Sequence, residues 1–362
     1  MKRRDFLKKA GLATAASAAL SPHVFAQNRN RQLRFEMVTS WPTALDTLHG
    51  SAVFLAETLD QITDGDVQVE VHPAGAQVGA FEVYDAVSGG AFELGHTASY
   101  YYIGLRQAHG IFTAMPFGMN AQQHNSWMYS GNGQHYWNEL NRPDNLIAFP
   151  AGNTGTQMGG WFRHEINTVE DLRGLTVRIP ALGGQVMARA GVDVQLIPGG
   201  EIYLALETGR IDAVEWVGPY DDMILGFHEV ADYYYTPGWQ EPSAAVGLYI
   251  NLDVYEGLDT DVQDAMQAAA RATNGRMLAH YDANNFEALQ QLIAGGTQMR
   301  TFSEEILREF KRASDEINEE SIAADPLFAE IFEDWATFKA NIREFHEVSE
   351  YAVLHLHYEL GL

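Results

Sequence analysis

The stretch LRFEMVTSWPTALDTLHGSAVFLAETLDQITDGDVQVEV, residues 33–71, reads as strand, helix, strand. Leu33-Arg34-Phe35-Glu36-Met37-Val38 alternates apolar and polar side chains, the pattern of a half-buried strand. Leu45, Leu48, Ala52, Leu55, Leu59 and Ile62 then recur at threes and fours, one face of a helix, and Asp64-Gly65 stops it with a glycine suited to a left-handed terminal position. Val67-Gln68-Val69-Glu70-Val71 alternates again. Such a βαβ unit implies a parallel sheet with a right-handed crossover. Similar cycles recur at 80–97 and 174–216, and Leu146–Phe149 and Leu175–Ile179 are further strand candidates.

Residues Glu82–Thr97 (EVYDAVSGGAFELGHT) align without gaps to Glu201–Trp216 (EIYLALETGRIDAVEW), each reading as short helix, glycine, strand. That pattern is common enough to arise by coincidence. As an echo it describes two related lobes whose strand ends face one crevice. Ligands of α/β sheets bind beyond the carboxyl ends of strands, which places a ligand near Gly95–Tyr101 and Glu215–Tyr220. Two such lobes form a clamshell that closes on its ligand.

The 362 residues carry 23 Lys+Arg against 48 Asp+Glu, a net charge of −25, and no Cys. The length suits two domains. The charge argues against a nucleic-acid surface and disfavours an anionic lipid surface. Without Cys there is no disulfide, zinc-thiolate site or thiol nucleophile. Met1–Ala26 combines a basic start (Lys2, Arg3, Arg4, Lys8, Lys9), a weakly apolar stretch from Ala10 to Leu20 and a small-residue site at Val24-x-Ala26, and so reads as a removable export signal. Arg3-Arg4 gives it twin-arginine character, although Lys2 keeps the general secretory route open. Its removal takes away five positive charges and one negative, leaving 18 Lys+Arg against 47 Asp+Glu and a net −29. An anion site must then be built locally, against the field of the whole chain.

From Ser303 the sequence reads as helical and acidic, with Ser303 as cap, Glu304 and Glu305 in the first turn and an interruption at Pro326. Ile331, Trp335, Phe338, Ile342 and Phe345 mark one apolar stripe, suited to packing on the lobes or to a partner. There is no nucleophile elbow, phosphate loop or His-Glu-x-x-His. Gly152–Gly160 is glycine-rich without a dinucleotide fingerprint, a lobe crossing or a ligand-facing loop. His355-x-His357 places its rings about 200° apart on a helix, which suits surface histidines better than a metal pair. The Tyr100–Tyr102 and Tyr233–Tyr235 runs read as sheet and cleft-rim packing. Arg178, closing a strand before Pro180, is placed to grip a carboxylate through two parallel hydrogen bonds, or to serve as a plain salt bridge. Glu215-Trp216 at a strand end, Trp239-Gln240-Glu241, and the neutral amide of Gln157 complete the candidates for a small-anion site.

The export signal, the helical tail and the runs GNTGTQMGGWFR (152–163), DLRGLTVRI (171–179), IDAVEWVGPYDD (211–222) and YYYTPGWQEP (233–242) resemble substrate-binding proteins of tripartite ATP-independent periplasmic (TRAP) transporters, above all the branch that binds 2-oxo acids such as pyruvate, or lactate. The resemblance covers essentially the whole chain. It implies an α/β two-lobed periplasmic-binding-protein clamshell with a helical C-terminal extension, in the periplasm. Lobe I would take 27–150, completed by segments after about 215, and lobe II 151–214 with later segments crossing back; 303–362 would be the tail. Arg178 would pair with the substrate carboxylate, Gln157 would hydrogen-bond it and Trp216 would contact it, with Tyr101 and Asn153 as further pocket residues. Glu215, the Trp216 carbonyl and Glu241 would hold a metal cation, Na⁺ or Ca²⁺. The implied partners are a small monocarboxylate, the small and large integral membrane subunits, no nucleic acid, and a homodimer through the C-terminal helices. No catalytic residue is implied; the competing class is a periplasmic hydrolase or lyase using Glu215 and Glu241 as acid and base.

Overall fold

The alternation that opens the chain becomes β1 (Leu33–Thr39), the helix Leu48–Ile62 and β2 (Val67–His72). The computed structural model describes residues 32–362, of which 34–362 form one compact unit. The expected export signal, residues 1–26, lies outside the described residues. The helix begins at Leu48 rather than at Leu45: Leu45 is buried in the preceding turn, where its N–H bonds to the Pro42 carbonyl.

A first sheet has the order β2-β1-β3-β10-β4, with β3 (Leu94–Thr97), β4 (Leu146–Asn153) and β10 (Ala245–Asn251). A second has the order β11-β9-β5-β8-β6-β7, with β5 (Gly160–Phe162), β6 (Thr176–Arg178), β7 (Asp193–Gln195), β8 (Ala213–Val214), β9 (Tyr233–Thr236) and β11 (Gln298–Thr301). The two sheets repeat one plan. In each, the third native strand lies parallel to the first (β1–β3, β6–β8) and antiparallel to a strand that crosses in from the other lobe (β3–β10, β8–β5). The sequence echo belongs to this plan. Helices Val83–Ser88 and Ile202–Glu207 are followed by Gly90 (φ 74°) and Gly209 (φ 73°), at equivalent places, and then by β3 and β8. A left-handed turn suits glycine because it has no Cβ to clash.

The chain passes between sheets through 154–159 and 237–244, and again after the helix Thr260–Ala294, which packs on β4, on Leu48–Ile62 and on Pro219–Ile224. That 35-residue helix was not expected from the sequence: its buried face recurs at threes and fours (Met266, Ala269, Ala270, Thr273, Asn274, Met277, Tyr281, Ala288 and Leu292) but mixes small and polar side chains with the apolar ones. Among the described residues no helix is long and apolar enough to cross a membrane. Large aromatics fill the lobes: Phe112 stacks between Trp127 and Trp137, and Trp161 on Tyr234 at 4.1 Å. Each buried side chain of this size stabilises by roughly 1.5–3 kcal/mol, more than any single cap.

The tail is two long helices followed by the short helix Glu350–Tyr358. Ser303 caps Glu304–Ala324 by accepting from the Ile306 N–H, and Asp325 caps Pro326–Val348. The first packs on Ala181–Arg189 in the second lobe and the next on Ala121–Ser130 in the first. Ile331 and Trp335 are buried and Phe338 and Ile342 partly so, but Phe345 is 63% exposed: the apolar stripe leaves the body of the protein one turn early.

Removing the Ser303 hydroxyl should leave one helix N–H unsatisfied. Ser303→Ala is expected to lower stability by about 1 kcal/mol, read as a lower urea midpoint at unchanged slope; an unchanged midpoint would show that water replaces the cap at no cost.

Candidate functional site

Strand ends and crossings meet at one place. β6 ends in Arg178, β8 runs into Glu215, Trp216 and Val217, the crossings bring Thr154, Gln157, Gln240 and Glu241, and the first lobe adds Ala98, Tyr100 and Tyr101 from the turn after β3. The backbone braces them: Glu215 N–H to the Arg178 carbonyl (2.9 Å), Gln157 N–H to the Glu241 carbonyl (3.1 Å) and Met158 N–H to the Val217 carbonyl (2.9 Å). The crossings lie so close that a Cβ on Gly238 would come within 2.0 Å of the Gln157 carbonyl oxygen. Only glycine permits that approach.

These segments enclose a cavity lined by Trp41, Leu48, Ala98, Tyr100, Tyr101, Thr113, Thr154, Gln157, Arg178, Trp216, Val217, Ala244 and Val246. The space open to the centre of a water-sized sphere is about 20 Å³, enough for water or a few ligand atoms beyond one water site. Four of the residues expected from the sequence line it: Tyr101, Gln157, Arg178 and Trp216. Glu215 and Glu241 sit behind the wall, buried beside Arg178. Asn153 is also buried off the wall, its Oδ1 closing the turn by accepting from the Gly155 N–H. Trp41, Tyr100, Thr113, Thr154, Ala244 and Val246 were not singled out from sequence. The strand-end rule already covered the segment holding Ala98 and Tyr100, whereas Thr113 and Val246 carry no local signal.

Arg178 is 1% exposed. Its Nε donates to the Ile197 carbonyl (3.2 Å) and its Nη1 to the Glu215 carbonyl, with the Glu215 carboxylate 3.5 Å from Nη1. No hydrogen bond from Nη2 to another described residue is present, so a two-point grip on a carboxylate would use the Nη1/Nη2 end. The guanidinium lies 4.8 Å from the Trp216 ring centroid, a cation–π contact, and the Cη2 edge of that ring is pinned by Gly199, where a Cβ would come within 2.5 Å.

Burial, then repulsion from Glu241, pushes the Glu215 carboxyl well above the usual range, against the opposing pull of Arg178. Burial pushes Glu241 up to about 8, with Arg178 and Gln157 opposing. Burial leads both shifts, and repulsion between the carboxylates adds to it at Glu215. Glu215 Oε2, Glu241 Oε2, Gln157 Oε1 and Gln240 Oε1 are all buried with no hydrogen-bond partner, and no hydrogen bond to the Trp216 carbonyl is present among the described residues. Four orphaned oxygens and a free carbonyl fit an oxygen-seeking cation, Na⁺ or Ca²⁺, better than zinc or copper. Two neighbouring acids are structural by contrast. Asp221 accepts from Thr47 (2.6 Å) and Tyr281 (2.8 Å), and Asp222 from Trp161 (2.9 Å) and Tyr234 (2.7 Å). A separate trio, Glu36, Glu70 and His72, brings three ligand atoms within 4.8 Å, but His72 is already paired with Glu36 at 3.1 Å and both carboxylates are exposed.

A family model for DctP, bacterial extracellular solute-binding protein family 7, matches residues 37–325. The chain is 44% identical over 354 residues, 97% of each chain, to a monocarboxylate 2-oxoacid-binding periplasmic protein of a Nostoc species. It superposes with a TM-score of 0.90 on a TRAP transporter solute-binding protein from Bordetella bronchiseptica, a mixed-occupancy dimer with copurified calcium and picolinate in one site and the other apo, at 42% identity over 91% of this chain and 98% of that one. A TRAP periplasmic solute-binding protein from Pseudoalteromonas atlantica, with bound sodium and pyruvate, superposes with a TM-score of 0.87 at 34% identity over 90% and 99%. The two-lobed α/β clamshell expected from the sequence is therefore the fold of this chain.

Carboxyls raised in the folded state keep their protons where the unfolded chain has lost them, so stability falls as pH rises through that window. In sodium-free buffer with chelator, melting temperature should fall between about pH 4.5, near the ordinary glutamate value, and about 8, the raised value for Glu241. Asp221 (about 7) and Asp222 (about 6) contribute in the same direction. Glu241→Gln should flatten the fall; equal slopes in variant and parent would remove Glu241 from the account.

Proposed function

The chain belongs to bacterial extracellular solute-binding protein family 7, and from that premise we propose that it captures a short 2-oxo monocarboxylate, pyruvate first, jointly with Ca²⁺ or Na⁺ in the periplasm and delivers it to the small and large membrane subunits of a TRAP transporter. The supporting observation is the buried charge imbalance beside the cavity. With both carboxyls ionised, a state that burial disfavours until a cation joins them, Arg178 supplies one positive charge and Glu215 and Glu241 two negative ones. A monocarboxylate would make the sum −2, and unpaired buried charge costs several kcal/mol per ion. A monovalent cation reduces the sum to −1 and a divalent one to zero.

In this reading Arg178 grips the carboxylate through its Nη1/Nη2 end, Gln157 hydrogen-bonds the ligand, and the Trp216 ring lies against it. Tyr101 borders the cavity from the first lobe. Glu215, Glu241 and the Trp216 carbonyl hold the cation, which supplies positive charge toward the ligand oxygens. The crossings at 154–159 and 237–244 act as the hinge, because only the closed form touches the ligand from both lobes. Lactate and other small organic acids compete for the same pocket. The protein acts as a binder. The hydrolase or lyase reading of the two glutamates predicts a mass change in incubated substrate, and the binder reading predicts none.

A homodimer through the tail belongs to the same proposal. No residue of the helix Glu350–Tyr358 is buried, and Phe345, Val348, Tyr351, Leu354 and Tyr358 are exposed. An apolar surface of this kind is normally covered by a partner.

Two measurements follow. Pyruvate with Ca²⁺ or Na⁺, at 100 times its Kd, should stabilise the protein by about 2.7 kcal/mol in a thermal-shift panel with lactate, 2-oxobutyrate and succinate. Chelator in sodium-free buffer should abolish the effect, and Arg178→Ala should weaken binding by on the order of 3–5 kcal/mol; ion-independent affinity would contradict the shared cation. Light scattering should give twice the chain mass for the intact protein and the single mass after truncation beyond Val348; a monomeric intact protein would remove the tail interface.

A further inference from the structure

His96 takes no part in the site as described, yet it holds one of its walls. It lies near the end of β3, fully buried, at the place that the echo pairs with Glu215. Trp41, 2% exposed, lines the cavity with Leu48, Ala98 and Val246, opposite the lobe that carries Arg178. The Trp41 indole N–H donates to His96 Nδ1 at 2.7 Å, and His96 Nε2 lies 3.1 Å from the Ala151 carbonyl of β4.

The chemistry of the three groups leaves one arrangement. An indole N–H only donates and a carbonyl only accepts, so Nδ1 is the acceptor, Nε2 carries the proton, and the ring is neutral. We infer that His96, held in this single tautomer between Trp41 and the Ala151 carbonyl, is a positioning residue that sets the Trp41 ring as the first-lobe wall of the ligand cavity. The placement is consistent with the rest of the surroundings. Burial, opposed by the Ala151 carbonyl and helped by the nearby His49, lowers the affinity of His96 for a second proton to a pKa of about 4. His49 is the titratable group facing it; its own affinity for a proton is also lowered by burial. The Trp41 backbone is fixed separately, its carbonyl accepting from the Ala74 N–H at 3.0 Å. Removing His96 therefore frees the ring without unseating the chain. One strand-end position thus serves the cleft in each lobe, Glu215 beside the site and His96 through Trp41.

The consequence for binding rests on the proposed 2-oxo acid ligand; the geometry does not, and the test separates them. In the ligand-free protein, long-range nitrogen–proton correlation should show His96 with a proton on Nε2 and none on Nδ1. The Trp41 indole resonance, assigned by its loss in Trp41→Phe, should move in His96→Leu and stay in His96→Gln, whose amide supplies both an acceptor and a donor. With Ca²⁺ present, His96→Leu and Trp41→Phe should each weaken pyruvate by about tenfold, as expected when one buried polar group loses its partner. The double variant should be no weaker than either single one, and His96→Gln should bind within threefold of the parent at one of these partner energies. A proton on Nδ1, an unmoved indole resonance in His96→Leu, or a folded Trp41→Phe that binds as the parent does would overturn the inference. A parent that takes up no 2-oxo acid would instead refute the proposed ligand, and the ligand-free spectra would still decide the role of His96.

Discussion

Two carboxylates and one guanidinium, all buried, cannot balance one another, and that imbalance organises the cleft. Arg178 is held by the Ile197 and Glu215 carbonyls and by the face of Trp216 rather than by a matched ion pair, since the nearest Glu215 carboxylate oxygen is 3.5 Å from Nη1. Glu215 and Glu241 each keep an oxygen without a hydrogen-bond partner. Such groups are costly to bury unless something further joins them. Protons meet the need in the ion-free protein, which explains why both carboxyls are raised. A cation would meet it while adding an attraction for an organic anion, and so would let an acidic protein hold an acid.

Topology explains why the imbalance sits where it does. Each lobe ends its first and third strands at the same edge, and the two crossings pass along that edge. Arg178, Glu215 and Trp216 come from strand ends; Gln157, Gln240 and Glu241 come from the crossings. Arg178, Glu215 and Trp216 thus belong to the second lobe, while Trp41, Tyr100 and Tyr101 arrive from the first. A ligand touching both sets favours closure by whatever its contacts differ between the open and closed forms.

Much of this was legible in the amino-acid order. The period-two and period-three-to-four patterns at 33–71 located β1, β2 and the helix between them, because those elements bury one face only. The echo at 82–97 and 201–216 corresponds to one helix–glycine–strand unit in each lobe, down to the matched left-handed Gly90 and Gly209. Arg178, Glu215 and Trp216 stand out at strand ends and Gln157 only as a neutral amide in a glycine-rich loop; the family resemblance, not their spacing, joined them into one site. Thr113, Val246 and Trp41 do not stand out, since a wall residue differs from a core residue only by what faces it. The helix Thr260–Ala294 was missed because its one buried face includes Ala269, Ala270, Thr273, Asn274 and Ala288 beside Met266, Met277, Tyr281 and Leu292, so hydropathy does not mark it. The tail was read one turn too far: Phe345 keeps the spacing but has left the surface it would pack on.

The most direct test of the shared cation is a crystal structure grown with pyruvate and Ca²⁺, with anomalous scattering used to locate the ion. The account predicts one calcium bonded to Glu215, Glu241, the Trp216 carbonyl and pyruvate oxygens, with the pyruvate carboxylate on Arg178. Pyruvate seated on Arg178 with no ion beside it, or lodged away from Arg178, would contradict it.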